Sequence, residues 1–234
     1  IFNKKLTAAL SVLALVGSAV IAQQEKSVES EYLSSAEDVV ITELANSDTR
    51  DNKNIALEYL EEAVDDGRVT PDMTVALDQL AGEGVTTQSK TNGRVVNNFP
   101  DVRKKACDIL AKVPTKESKD TLVKIALQDN EPMVITAAIR SLGKIGINDN
   151  DEVVNTIAWA NKGNRILNPT SSLASEVIEA FSKLADSTED KKDMINEVAK
   201  IAGDYRYVTP VRQRALELLK KLQSSSSSSS SDGK

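Results

Sequence analysis

From about residue 36 onward the apolar positions recur with a helical period, and strand-like alternation is almost absent. One pattern places an apolar residue first, Ala at +4, and large apolar residues at +8 and +11. It appears as Val102, Ala106, Leu110, Val113; as Val134, Ala138, Leu142, Ile145; and as Val211, Ala215, Leu219, Leu222. Looser copies are Leu173, Val177, Phe181, Leu184 and Asn52, Ala56, Leu60, Ala63. Steps of four, four and three keep these residues on one stripe, and the small second residue lets a neighbouring helix come close. A second pattern interleaves with the first: Val40-Ile41 with Leu44-Ala45, Ala76-Leu77 with Leu80-Ala81, Val153-Val154 with Ile157-Ala158, Met194-Ile195 with Val198-Ala199, and in part Leu122, Ile125 and Ala126. Their alternation predicts about ten helices in five pairs, stacked as a helical solenoid.

Punctuation agrees with that count. Thr70-Pro71 and Thr209-Pro210 put a capping hydroxyl before a proline, and Asp151 and Ser187 (with Asp190 three residues on) read as further N-caps. Gly67, Gly82, Gly143 and Gly203 fall where helices should end. The polar segment 85–98, with a turn signal at Asn92-Gly93, is expected to be a long loop or a short extended hairpin. A second loop is expected over Asn161 to Ser171. The serine run from Ser224 can bury nothing, so residues 223–234 are expected to be a disordered tail.

The segments Pro100-Asp101-Val102-Arg103-Lys104-Lys105-Ala106, Glu131-Pro132-Met133-Val134 on to Ala138, and Thr209-Pro210-Val211-Arg212-Gln213-Arg214-Ala215 resemble the first helix of HEAT or HEAT-like repeats. The resemblance covers 36–222 and is strongest over 98–222; the unit at Ser172-Leu173 lacks the Pro and Arg, and the one at Asn52 lacks the Val. It implies an all-α fold, an α-solenoid of about five antiparallel helix pairs whose second helices line a concave face. It fixes architecture far more tightly than activity.

Composition narrows the function classes. With 29 Lys+Arg against 35 Asp+Glu in 234 residues, the formal net charge of -6 opposes nucleic-acid binding. The absence of His removes the commonest general base and metal ligand, and the single Cys107 excludes an internal disulfide or a thiolate zinc cage. At 3% aromatic residues, stacking platforms for bases or sugars are not expected. Residues 1–22 read as a secretory signal: Lys4 and Lys5, an apolar run from Leu6 to Ile21, and cleavage after Ala22. The alternative is an uncleaved N-terminal membrane anchor. Cleavage would leave 27 bases against 35 acids, a net charge of -8, on a periplasmic or secreted chain with no stable membrane span; residues 23–35 then read as a linker and 36–222 as the repeat domain.

Motifs for chemistry have plainer readings. Ser141-Leu142-Gly143-Lys144 has Ser-x-x-Lys spacing, yet its apolar members belong to the repeat stripe and no Lys-Thr-Gly accompanies it. Asn148 to Glu152 gathers oxygen ligands but lacks a calcium loop's glycine and distal glutamate, so helix capping explains it. Cys107 reads as a small, half-buried apolar group, or alternatively as the half of an intermolecular disulfide. No catalytic, cofactor or metal residue is expected. The candidate partner-binding residues are Trp159 with Lys162 and Arg165, and Tyr205, Arg206 and Tyr207; packing is the competing role for Trp159 and for the tyrosine loop. The expected function is a non-enzymatic scaffold that binds protein through its concave face and loops, with cell-envelope machinery such as a flagellar or secretion assembly, or self-association, as candidate partnerships. The alternatives are a structural subunit of such an assembly and a HEAT-like lyase or enzyme helper.

Overall fold

The computed structural model describes residues 28–228. The expected signal peptide lies outside the described residues, as do positions 229–234 of the tail. The chain divides into two compact units, Ile1–Glu37 and Asp38–Lys234. Of the first, the described part is helical from Val28, the start of α1 (Val28–Asn46), so the expected linker is in large part helix.

The second unit continues with α2 (Arg50–Asp65), α3 (Pro71–Ala81), α4 (Pro100–Leu110), α5 (Lys116–Gln128), α6 (Pro132–Ile145), α7 (Glu152–Leu167), α8 (Ser171–Leu184), α9 (Lys192–Gly203) and α10 (Thr209–Ser228). The two sequence patterns separate into two layers. Helices α2, α4, α6, α8 and α10 carry the first pattern and pack in chain order, each on the next. Helices α3, α5, α7 and α9 carry the second pattern and form the other layer in the same way, while α3–α4, α5–α6 and α9–α10 pack across. The described part of the second unit is thus a helical, HEAT-like solenoid.

Local chemistry accounts for most helix boundaries. The hydroxyls of Thr49, Thr70, Thr115 and Thr170 each accept a backbone N–H of the first turn, and Pro71, Pro100 and Pro132 occupy first-turn positions that need no donor. Between the layers lies a core of aliphatic side chains and alanines, with Phe181 the one fully buried phenylalanine among the described residues. Burying each Leu, Ile or Val stabilises the stack by about 1.5–3 kcal/mol.

Several expected boundaries move, each for an identifiable reason. Gly143 lies inside α6, which ends at Gly146 in the left-handed region (φ 74). Its hydrogen is needed for packing: a Cβ there would stand 2.8 Å from both Cα and Cβ of Ala180 on α8. Asp151 precedes α7 but caps nothing in it; at φ 59, its carboxylate accepts the N–H groups of Glu189 (3.0 Å) and Asp190 (2.8 Å) instead. Ser187 sits in a 3₁₀ turn and bonds Leu184, and α9 begins only at Lys192. The loop expected over 161–171 shrinks to 168–170, because Asn161 is buried and donates to Glu197 Oε2 at 2.9 Å, so α7 gains by continuing. α10 runs four residues past Ser224 into the serine run. Segment 85–98 takes the hairpin alternative: β1 (Lys90–Thr91) pairs antiparallel with β2 (Arg94–Val95) about Asn92-Gly93, both at positive φ.

Candidate functional site

The hairpin insertion between α3 and α4 is rooted in buried charge. Lys53 Nζ meets Glu83 Oε2 at 3.1 Å and donates to the Ala45 carbonyl at 2.7 Å, while Asn97 donates to Glu83 Oε1 at 2.7 Å. Arg103 holds Asp129 through Nε (2.6 Å) and Nη2 (3.2 Å), and its Nη1 donates to the Glu83 carbonyl and to Asn98 Oδ1. These groups satisfy one another, so the insertion is a fixed part of the stack.

On α7 the inward residues Val153, Val154, Ile157, Ala158, Ala160 and Asn161 are buried. The outward ridge runs Glu152, Asn155, Trp159, Lys162 and Ile166, all exposed at steps of three and four. Trp159 is 61% exposed and Ile166 64%, about 10 Å apart along the helix axis. Folding therefore uses neither ring nor branched chain. Leu167, at the end of the same helix, is 86% exposed. Sequence reasoning missed Ile166 and Leu167 because both fell in the expected loop; extending the stripe spacing by one turn from Trp159 points to Ile166.

The other named residues have mixed placements. Arg165 is mostly buried, its Nε 3.8 Å from Glu197 Oε2, and Glu197 also receives Asn161 and Lys200. It serves as an internal counter-charge. Arg206 grips Asp204 with three bonds (Nε–Oδ1 2.9 Å, Nε–Oδ2 3.1 Å, Nη2–Oδ2 2.6 Å), which hold the Asp204 carboxyl below its usual range despite burial. Tyr207 is buried, a packing residue; burial first and the Asp204 charge second push its hydroxyl up. Tyr205 is 86% exposed. Arg165 acts electrostatically on both Asp204 and Tyr207, so the end of α7 and the α9–α10 turn form one charged cluster. The structure thus packs Tyr207 in the core and Arg165 mostly below the surface, leaves Arg206 exposed but paired with Asp204, and leaves Trp159, Lys162 and Tyr205 facing out.

A second exposed feature is a groove of about 340 Å³ between α1 and α3, with Val39, Ala45, Val75 and Ala76 as apolar lining and Asp38, Glu43 and Asp72 as acidic lining.

Residues 94–158 match the family model of HEAT repeats. That stretch runs from β2 through α4, α5 and α6 into α7, so it ends at Ala158, immediately before the exposed tryptophan. Comparison with curated proteins and with solved structures finds no match. HEAT-like repeats generally mediate contacts between proteins, and the two-layer packing extends the likeness to helices on both sides of the matched segment.

The residues weighed for chemistry are spent on structure. Ser141 is fully buried and donates to the Cys107 carbonyl at 2.8 Å, whereas Lys144 is exposed. Cys107 is fully buried where half-burial was expected, since α4 is covered by α6; burial, aided by the Asp108 and Asp129 charges, pushes its thiol far up, which removes the disulfide reading. Asn148 and Asp151 bond each other and the backbone of Val154, Glu189 and Asp190. Among the described residues no helix is long and apolar enough to cross a membrane.

Proposed function

We propose that this protein is an exported, non-enzymatic scaffold that recruits a protein partner to the layer of second helices around Trp159, within a cell-envelope assembly. The observation that carries the reading is the α7 ridge: a tryptophan 61% exposed, an isoleucine 64% exposed and Lys162 between them, on a helix whose opposite face is core. Large rings left in water on a rigid element are the anchors that dominate interface energetics. In HEAT-like stacks this layer lines the concave side, where a partner's segment is enclosed. Export rests on the pattern of residues 1–22.

The test is a photo-crosslinking residue at position 159 in cells, with Lys183 on α8 as the control position. A discrete adduct at 159 that is absent at 183 and lost in Ile166→Asp supports the reading. Equal adducts at both positions, or none at 159, overturn it. Fractionation of the chain with the cytoplasm would remove the export part alone.

A further inference from the structure

The first-pattern layer is stitched by ion pairs at every junction between neighbouring helices. Arg50 of α2 meets Asp101 of α4 at 2.8 Å, and Lys112 of α4 returns to Asp65 (2.8 Å) and Glu61 (3.1 Å) of α2. Arg140 of α6 reaches Asp108 of α4 at 2.7 Å and Glu176 of α8 at 3.6 Å, and Arg214 of α10 reaches Glu179 of α8 at 2.9 Å. Among the described residues, two sides of this layer have no further helix of the layer beside them: the side of α2 away from α4 and the side of α10 away from α8.

At 100° per residue, Arg50, Glu61 and Asp65 mark the α4-facing side of α2. Ile55 and Tyr59 fall on the opposite side, 41% and 43% exposed, with the exposed acids Asp51, Glu62 and Asp66 around them. On α10, Arg214 marks the α8-facing side, and Arg212, Leu216, Leu219 and Lys220 fall opposite. Leu216 is 47% exposed and Leu219 partly buried. One end is apolar and flanked by carboxylates, of which Asp66 is paired with Arg68 at 3.2 Å while Asp51 and Glu62 carry the negative charge; the other is apolar and flanked by cations. Neither Glu62 nor Lys220 makes an ion pair among the described residues.

We infer that copies of this chain associate head to tail, the α10 end of one copy against the α2 end of the next, so that the first-pattern layer continues from copy to copy. The occupant is a second copy because each end offers what every internal junction already uses, an apolar stripe flanked by charge of the opposite sign. Two different surfaces meet, so the contact is heterologous and growth continues unless the rotation closes a ring. This association does not involve the α7 ridge and stands or falls separately from it.

Sedimentation velocity on the purified protein tests it. The expected mass rises with concentration and falls as salt rises, since exposed charges are screened. Leu216→Glu sets a carboxylate against the acidic α2 end, and Tyr59→Lys sets an amine against the basic α10 end; each weakens association by at least about tenfold. Both positions are solvent-exposed, so circular dichroism and melting confirm that the fold survives. The double variant Leu216→Glu/Tyr59→Lys restores opposite charges and recovers association. A monomer at every concentration overturns the inference. So does an effect of Leu216→Glu without one of Tyr59→Lys, which marks an α10–α10 contact, or a double variant weaker than both singles.

Discussion

Asp129→Ala tests whether the buried charge at the insertion holds the stack together. The Arg103 side chain is 1% exposed and that of Asp129 is fully buried, and the carboxylate accepts from Nε at 2.6 Å, Nη2 at 3.2 Å and the Glu131 N–H at 2.8 Å. Removing it leaves Arg103 with the Glu83 carbonyl and Asn98 but without the carboxylate that balances its charge. Stranding a buried charge costs about 3–5 kcal/mol. Domain stabilities of about 5–15 kcal/mol make that a large fraction of the total. For a chain of this size each kcal/mol lowers Tm by about 2–4 °C, so a fall of about 6–20 °C is expected in thermal circular dichroism. Arg214→Ala is the contrast: its pair with Glu179 is nearly half exposed on both sides and contributes under about 1 kcal/mol. Adding Arg103→Leu to Asp129→Ala removes the stranded charge and recovers part of the loss. An Asp129→Ala protein melting within about 2 °C of the parent, or an Arg214→Ala loss of equal size, refutes the reasoning.

Three further outcomes follow from separate sites. Helix propensity alone would make Gly143→Ala stabilising by about 1 kcal/mol; the 2.8 Å approach to the Ala180 backbone reverses the sign, and urea unfolding should show a loss of about 1–3 kcal/mol. The Asp190 N–H, opposed by burial and joined by the Glu189 N–H and the Asn148 amide, holds the Asp151 carboxyl below its ordinary value. A depressed folded value stabilises the protein above about pH 4 and is lost as pH falls through it, so the stability gap between parent and Asp151→Asn is full at neutral pH and narrows on acidification; a gap that widens with acid counts against this. Trp159→Ala should leave the melting temperature unchanged to within about 0.5 kcal/mol equivalent, because its ring is mostly in water; a core-sized loss would make it a packing residue.

The stripes were legible because a two-layer stack asks the same thing of each helix: one buried face, with alanine where a neighbour approaches. Val102, Val134 and Val211 all prove buried, and so do Ala106, Ala138 and Ala215. The ends of helices were harder to read where tertiary contacts override local signals. Gly143 carries a stop signal, yet its lack of a side chain is used sideways, against α8. Asp151 has the chemistry of a cap and spends it across 38 residues of sequence on Glu189. For the candidate surface, spacing put Trp159 one residue off the buried stripe and left packing and exposure both open, and nothing local separates exposed Tyr205 from buried Tyr207, or a free Arg165 from one committed to Glu197. Those distinctions depend on where α9 lies.

The position after the stripe valine shows how one register takes three roles. In α4 it is Arg103, and its carboxylate partner comes from the turn that leads into the next first-pattern helix. In α6 it is Ile135, buried and apolar, so no counter-charge is required there. In α10 it is Arg212, which gives Nη2 to Thr209 and has a buried Nε with no hydrogen-bond partner. Among the described residues no acceptor reaches that nitrogen, and a buried guanidinium nitrogen without an acceptor is a cost that stacks of this kind ordinarily avoid. An acidic α2 end from a second copy is the surface that would set carboxylates nearby. Arg212→Leu should therefore weaken head-to-tail association while leaving the melting temperature of the isolated monomer within about 0.5 kcal/mol equivalent of the parent. A lower melting temperature with unchanged association would assign Arg212 to internal packing.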